Sequence, residues 1–215
     1  MESDKRIDSS LSEKNVLRSQ MRLSLKEITL SEKKIMSENA CRIFLASDLY
    51  KSSSIILSYK DLKSEISPEI INQAAVKDKK LLAFPRVCPD SSDMDFYFYS
   101  QTHKEETPFK KGSFGIMEPE EKAEDLLSEE RLLENSNITV IVPGLAFDKN
   151  AGRLGKGKGY YDRYIKRLAL MAEASSSKLF LLGMGFTCQI TDKVPLDHHD
   201  QLLDGLLTDT EMIIF

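Results

Sequence analysis

Three things are scarce in this 215-residue chain: cysteine, surplus positive charge and long apolar stretches. The three cysteines, Cys41, Cys88 and Cys188, are too few and too scattered for a disulfide framework, and no two lie at a C-x-x-C spacing that would suit zinc. They predict buried thiols in a reducing compartment. Thirty Lys+Arg against 34 Asp+Glu leave a net charge of −4. That excludes a globally basic protein holding nucleic acid by bulk charge, though not a local basic site. The longest apolar run, near 138–142, falls far short of the about 20 residues that a membrane span needs. Met1-Glu2-Ser3-Asp4-Lys5-Arg6 is charged and has no apolar stretch behind it, so no signal peptide is expected. The expected compartment is the cytoplasm, with no membrane association. Catalytic constellations are also missing. There is no G-x-S-x-G elbow, no H-E-x-x-H, no Walker loop and no Rossmann fingerprint. No cysteine has an assignable histidine base, and His103 reads as a solvated loop residue.

Against these absences, 41% hydrophobic and 30% charged residues make an ordinary globular composition. One domain is expected over residues 12–215, preceded by a flexible, Ser-rich 1–11. A helix is expected from Ser12 to about Lys26, and a second after the capping box Thr29-Leu30-Ser31-Glu32. In that second helix Met36, Ala40, Ile43 and Phe44 share an apolar face, giving an N-terminal helical pair. Strands are expected at 54–59, at 81–84 ending at Pro85-Arg86, at 138–142, at 179–184 and at 212–215. Alternation of Met94, Phe96 and Phe98 with Asp95, Tyr97 and Tyr99 predicts a half-exposed edge strand. Helices are expected from Pro68 to about Lys79, near 128–134, and after the glycine-rich loop, where Tyr161, Tyr164, Ile165 and Leu168 share a face. Residues 100–122, with Pro108, Gly112, Gly115 and Pro119, read as one long loop. Strands alternating with helices mean an α/β fold with a largely parallel sheet.

The stretch that carries chemistry follows the strand at 138–142 and reads Gly152-Arg153-Leu154-Gly155-Lys156-Gly157-Lys158-Gly159-Tyr160-Tyr161-Asp162. Glycines let backbone amides turn toward an anion, and a helix N-terminus adds partial positive charge. Arg153, Lys156 and Lys158 supply full charges for phosphate oxygens. The alternative is a flexible, solvated Gly/Lys turn. Its place at the carboxyl end of a strand favours the phosphate reading, because open α/β sheets bind ligands there. Asp162 is a candidate Mg²⁺ ligand, the alternative being a surface aspartate that improves the helix start. Asp200 is a second candidate for a hard cation. His198 and His199 read as polar loop residues, since neighbours on an extended chain point to opposite faces.

Val142-Pro143-Gly144-Leu145-Ala146-Phe147-Asp148, followed by the string from Gly152 to Asp162, resembles the signature of the 5-formyltetrahydrofolate cyclo-ligase family. Supporting marks run along most of the chain: Lys14-Asn15-Val16-Leu17-Arg18, Glu65-Ile66, Phe84-Pro85-Arg86, Phe114-Gly115-Ile116 with Glu118-Pro119, and Val194-Pro195 through His199-Asp200 to Asp204. Ser67-Pro68 departs from the family pattern, and the stretch from Tyr59 to Ser64 is longer than usual. The resemblance implies a three-layer α/β/α sandwich like that of sugar-phosphate isomerases and CoA transferases. It implies ATP- and Mg²⁺-dependent closure of 5-formyltetrahydrofolate to 5,10-methenyltetrahydrofolate. By the same resemblance ATP meets Lys14, Arg18, Arg153, Leu154, Gly155, Lys156, Gly157, Lys158, Gly159, Tyr160 and Tyr161. The folate meets Glu65 and Tyr59 and shares the loop from Lys156 to Tyr160. Mg²⁺ is held by Asp162 and Asp200. Arg153, Lys156 and Lys158 are the expected catalytic cations at the transferring phosphoryl group. The expected partners are these small molecules, the chain acting as a monomer.

Two rival readings share parts of this pattern. A small-molecule kinase on a similar fold would use the same phosphate loop. An RNA-binding module would use the Gly/Lys loop and the aromatic strand 96–99 as a stacking platform, although no RNP1-type motif is present.

Overall fold

The structure is a computed structural model, described for residues 2–88, 91, 93–99, 109–112, 117–120, 125–128, 131–132 and 136–215, with side chains from residue 11 onward. Its centre is a seven-stranded sheet in the order β11-β10-β9-β6-β1-β2-β3. The strands are β1 Ile55–Leu57, β2 Leu81–Val87, β3 Met94–Phe98, β6 Asn137–Pro143, β9 Lys178–Met184, β10 Gly205–Leu207 and β11 Met212–Ile214. The five strands β10, β9, β6, β1 and β2 run parallel, and only β3 and β11 at the two edges are antiparallel. The α/β expectation therefore holds.

Alternation along each inner strand explains the layers. Ile55, Leu57, Val140, Val142 and Leu206 point into one core, where Tyr164, Ile165, Leu168 and Ala172 of α5 (Tyr160–Ala174) cover them. Ile56, Ile141, Leu182 and Leu207 point into the other. There they meet Ala40, Cys41 and Phe44 of α2 (Leu30–Ala46), Tyr50 of α3 (Asp48–Ser52), and Ile71 and Ala75 of α4 (Glu69–Lys77). Successive side chains on a strand face opposite ways, so strands buried on both faces read as continuous apolar runs.

Helix α2 starts where expected: Thr29 Oγ1 accepts from the Glu32 amide at 3.2 Å, and Glu32 Oε2 accepts from the Thr29 amide at 2.8 Å. Helix α1 spans Glu2–Glu27, starting ahead of the expected Ser12. Its Leu25 joins the second core, while Leu17 and Met21 pack on a small cluster of Ala146, Leu154 and Val194. The helical pair thus divides its work. Helix α2 covers the sheet, and α1 reaches across to the loops beyond the carboxyl ends of the strands.

Several expectations need correction. Strand β2 does not end at Pro85 but continues to Val87, with Pro85 opposite Phe96. The Ala83 carbonyl faces β1 and accepts from Ser58, whereas the Leu82 carbonyl faces β3 and accepts from Tyr99. By alternation Pro85 turns its missing N–H to the β1 side, and β1 has already stopped at Leu57 opposite Ala83. Strand β3 lies at the edge as expected but is not half-exposed: Tyr97 is only 6% exposed, and an isolated bridge to Leu126 covers it. The expected loop 100–122 contains a hairpin of β4 (Phe109–Lys111) and β5 (Met117–Pro119). Tertiary contacts hold that hairpin. Phe109 packs edge-on against Phe84 at 5.1 Å, and Arg86 Nη1 donates to the Pro119 carbonyl. His103 and Phe114-Gly115-Ile116 lie outside the described residues, as does much of the helix expected near 128–134. Its Ser128 carbonyl accepts from Arg131 and Leu132. Of the three thiols only Cys41 is buried. Cys188 is exposed, because it sits on the outer side of the 3-10 turn Thr187–Gln189. No helix among the described residues is long and apolar enough to cross a membrane.

One ring organises the turn out of β9. A Cβ at Gly185 would stand 2.6 Å from Phe147, which is 1% exposed. Gly185→Ala should therefore lower stability by about 1–3 kcal/mol through overpacking. Urea unfolding checks this, and adding Phe147→Leu in the same chain should recover part of the loss.

Candidate active site

The parallel strands end on one side of the sheet, and the loops leaving those ends converge. Beyond β6 the chain forms a small hairpin of β7 (Ala146–Phe147) and β8 (Arg153–Leu154). The glycine-rich loop runs from β8 into α5. Gly159 caps that helix in the left-handed conformation at φ 66°, and Gly157 sits at φ 100°. These are backbone states that other residues adopt only with strain, so the glycines here serve the path of the loop.

Arg153 and Leu154 are strand residues rather than loop residues. Leu154 is 2% exposed and turns its side chain into the cluster under α1, so only its backbone reaches the loop. Arg153 is 5% exposed. Its Nη2 donates to Asp162 Oδ1 at 2.7 Å and its Nη1 to the Pro143 carbonyl at 3.3 Å. Its Nε is buried with no hydrogen-bond partner among the described residues. Its guanidinium also lies 5.8 Å from the centre of the Tyr161 ring.

The other expected residues arrive from far along the chain. Lys14 and Arg18, one turn apart on α1, share a face. Lys14 Nζ donates to Asp197 and Asp200, each at 2.6 Å. Arg18 Nε donates to the Gly155 carbonyl at 3.1 Å, and its guanidinium lies beside Gly157. Lys156 Nζ meets Glu65 Oε1 at 2.5 Å. Glu65 is fixed in turn, its Oε2 accepting from the Leu62 amide. Tyr59 donates its hydroxyl to the Ile66 carbonyl at 2.7 Å. Burial first, and then the Glu65 charge, push the Tyr59 phenol well above its ordinary range, so it stays a neutral donor. The Lys158 carbonyl accepts from Arg163, while Lys158 itself is exposed. Tyr160 opens α5 with its ring 5.6 Å from the Arg163 guanidinium.

The segments that carry the two expected metal ligands come together. The amide of Gln201, next to Asp200, donates to Asp162 Oδ1 at 3.3 Å. Asp162 uses only Oδ1 and Asp200 only Oδ2 in these bonds, so each keeps one oxygen outside them. No cluster of three His, Cys, Asp or Glu able to hold a metal occurs among the described residues. Two hard oxygens without a full protein cage suit Mg²⁺, which keeps waters and takes phosphate oxygens. His198 and His199 are exposed loop residues, but rather than pointing to opposite faces their rings meet, tilted by 42° with centres 3.6 Å apart.

The sequence reading missed two residues here and took Asp197, the first acid of D-x-x-D, for a possible metal ligand rather than the partner of Lys14 that it is. Gln201 acts through its backbone and leaves no sequence signal. Gln189 is buried and pins the turn after β6, donating to the carbonyls of Gly144 and Leu145.

A model of the 5-formyltetrahydrofolate cyclo-ligase family matches residues 10–209. A mouse protein named 5-formyltetrahydrofolate cyclo-ligase is 30% identical over 196 residues, covering 91% of this chain and 93% of its own length. A Schizosaccharomyces pombe protein named probable 5-formyltetrahydrofolate cyclo-ligase is 29% identical over 205 residues, covering 93% and 97%. The solved structure of Aquifex aeolicus 5,10-methenyltetrahydrofolate synthetase aligns with a TM-score of 0.72 at 27% identity, over 94% of this chain and 92% of that one.

The Lys14 pairing has a pH signature. Burial, the largest influence, pulls its ammonium pKa down, and the bonds and charges of Asp197 and Asp200 more than reverse this, so the net shift is upward from 10.5. A raised folded-state value means that the stabilisation is complete below the unfolded value and fades as pH rises through the folded one. The stability difference between the native chain and Lys14→Met should be flat across neutral pH and shrink above 10.5. Urea midpoints measured from pH 7 to 11.5 check it.

Proposed function

The chain belongs to the 5-formyltetrahydrofolate cyclo-ligase family, and we propose that it converts 5-formyltetrahydrofolate to 5,10-methenyltetrahydrofolate, consuming ATP with Mg²⁺ and releasing ADP and phosphate. The observation that carries the proposal is the convergence on one loop of cations from α1, a buried Arg–Asp pair and two neighbouring carboxylates. We assign the activity to residues 12–215 as a monomer. The three free thiols favour the cytoplasm for this chain, although an Arabidopsis thaliana relative is named mitochondrial.

In this reading the formyl oxygen attacks the γ-phosphorus, the bond to the ADP oxygen breaks, and the oxygen becomes part of a phosphate ester. N10 then adds to the activated carbon, loses its proton, and expels phosphate as the ring closes. No protein nucleophile is required, and the sequence carries no recognised covalent-catalysis motif. The protein's task is alignment and charge stabilisation. Glu65 and Tyr59 would hold the folate. Lys14 and Arg18, with Leu154, Gly155 and the residues to Tyr161, would hold the nucleotide. Arg153, Lys156 and Lys158 would face the transferring group, and the spare Nε of Arg153 is a donor still to be used. Asp162 and Asp200 would hold Mg²⁺, which when bound neutralises charge on phosphate oxygens.

The RNA reading loses its support, because the aromatic strand is inward: Phe96 is 0% and Tyr97 6% exposed. A kinase reading is separated by product. Only cyclisation generates the new absorbance of the methenyl compound, and it should require ATP, Mg²⁺ and 5-formyltetrahydrofolate together. Lys158→Ala should reduce turnover by about 10²–10³ while leaving the thermal midpoint nearly unchanged. Unaltered turnover would remove the loop from the site. Asp162→Asn should shift the Mg²⁺ titration of turnover to higher concentration, and an unshifted titration would remove Asp162 as a ligand.

A further inference from the structure

Asp148 is a carboxylate that the proposed reaction does not use. It is 2% exposed. Its Oδ1 accepts from the amides of Asn150 at 2.8 Å and Gly152 at 2.9 Å, and its Oδ2 accepts from Val194 at 2.7 Å. No ion pair to it occurs among the described residues; three backbone dipoles balance its charge. A buried carboxylate held this way is costly to disturb, since each amide it releases is left without a partner.

The two arms of this contact lead to the two sides of the site. On one side Gly152 is followed at once by Arg153, which grips Asp162. On the other, Val194 begins the segment that brings Asp197 and Asp200 to Lys14 and the Gln201 amide to Asp162. Further backbone bonds run beside the carboxylate: Thr191 donates to Phe147, and Leu203 donates to Ala151. Of these ties, the Asp148 side chain alone joins Gly152, in the turn that leads into β8, directly to Val194, from which the Asp200 segment departs.

The geometry points to Asp148 as a positioning residue that sets the separation of the carboxylates of Asp162 and Asp200, and so the recognition of nucleotide in its Mg²⁺ form. The inference rests on the proposed function, because it takes those two aspartates as Mg²⁺ ligands. Asp148 touches neither ligand nor reacting atoms. It acts through the backbone beneath them, as outer groups behind metal ligands do.

Asp148→Asn tests it. The side-chain carbonyl can still serve Asn150 and Gly152, while the new NH2 opposes the Val194 amide and severs that tie alone. Binding of the β,γ-imido analogue of ATP to the full chain is measured by calorimetry with Mg²⁺ and again with EDTA. Affinity in Mg²⁺ should fall by about ten- to a hundredfold, with little change in EDTA and with 5-formyltetrahydrofolate binding unchanged. A lower thermal midpoint with an intact Mg²⁺ advantage would mean a merely structural role and overturn the inference. If the native chain itself shows no Mg²⁺ advantage, the reading of the metal site falls and the inference falls with it.

A second measurement needs no variant. Amide exchange at Gly152 and Val194 in the native chain should slow together when analogue and Mg²⁺ are added, because a ligand bridging both segments stabilises the clamp beneath them. Slowing at one amide only, or at neither, would overturn the inference even if Asp148→Asn did not fold.

Discussion

The ion pair between Arg153 and Asp162 is the constraint around which the rest of the site is arranged. The Arg153 side chain is 3% exposed, and breaking such a pair by removing one member costs about 3–5 kcal/mol because the other charge is stranded. The pair joins the start of β8 to the first turn of α5. The intervening residues must therefore leave and return within a short distance, which is why left-handed glycines stand at 157 and 159. A loop with Lys156, Gly157 and Lys158 exposed is the result. Loop shape and local charge thus have one cause.

The charged residues of the site neutralise one another. Lys14 is matched by two aspartates, Arg153 by one, and Lys156 by Glu65. A cation already paired with a carboxylate needs less reorganisation to meet a second anion than one that must be drawn out of bulk water. The same pairs let a chain of net charge −4 keep five cations, Lys14, Arg18, Arg153, Lys156 and Lys158, about one site.

Much of this was legible from residue order. The inner strands expected at 54–59, 138–142 and 179–184 announced themselves as apolar runs, and Gly152–Asp162 announced a loop feeding a helix. What stayed hidden depends on neighbours distant in sequence. Pro85 reads as a strand end until one knows that β1 has stopped beside it. Phe109-Lys110-Lys111 has no strand pattern of its own and becomes one through Phe84 and Arg86. Arg153 looks like a loop cation, yet its side chain is drawn inward by an aspartate nine residues later. Asp148 sits in a recognisable motif, but its three amide partners are backbone atoms, which residue identity does not reveal.

Helix α1 adds a consequence for how the molecule comes into being. Lys14 and Asp200 are separated by 186 positions, yet they share a bond. In a growing chain this lysine stays unmatched until the segment that carries Asp197 and Asp200 has followed it out of the ribosome. Contacts between such distant partners form late and slowly. Any change that loosens residues 197–200 therefore also takes from α1 the two carboxylates that anchor its lysine.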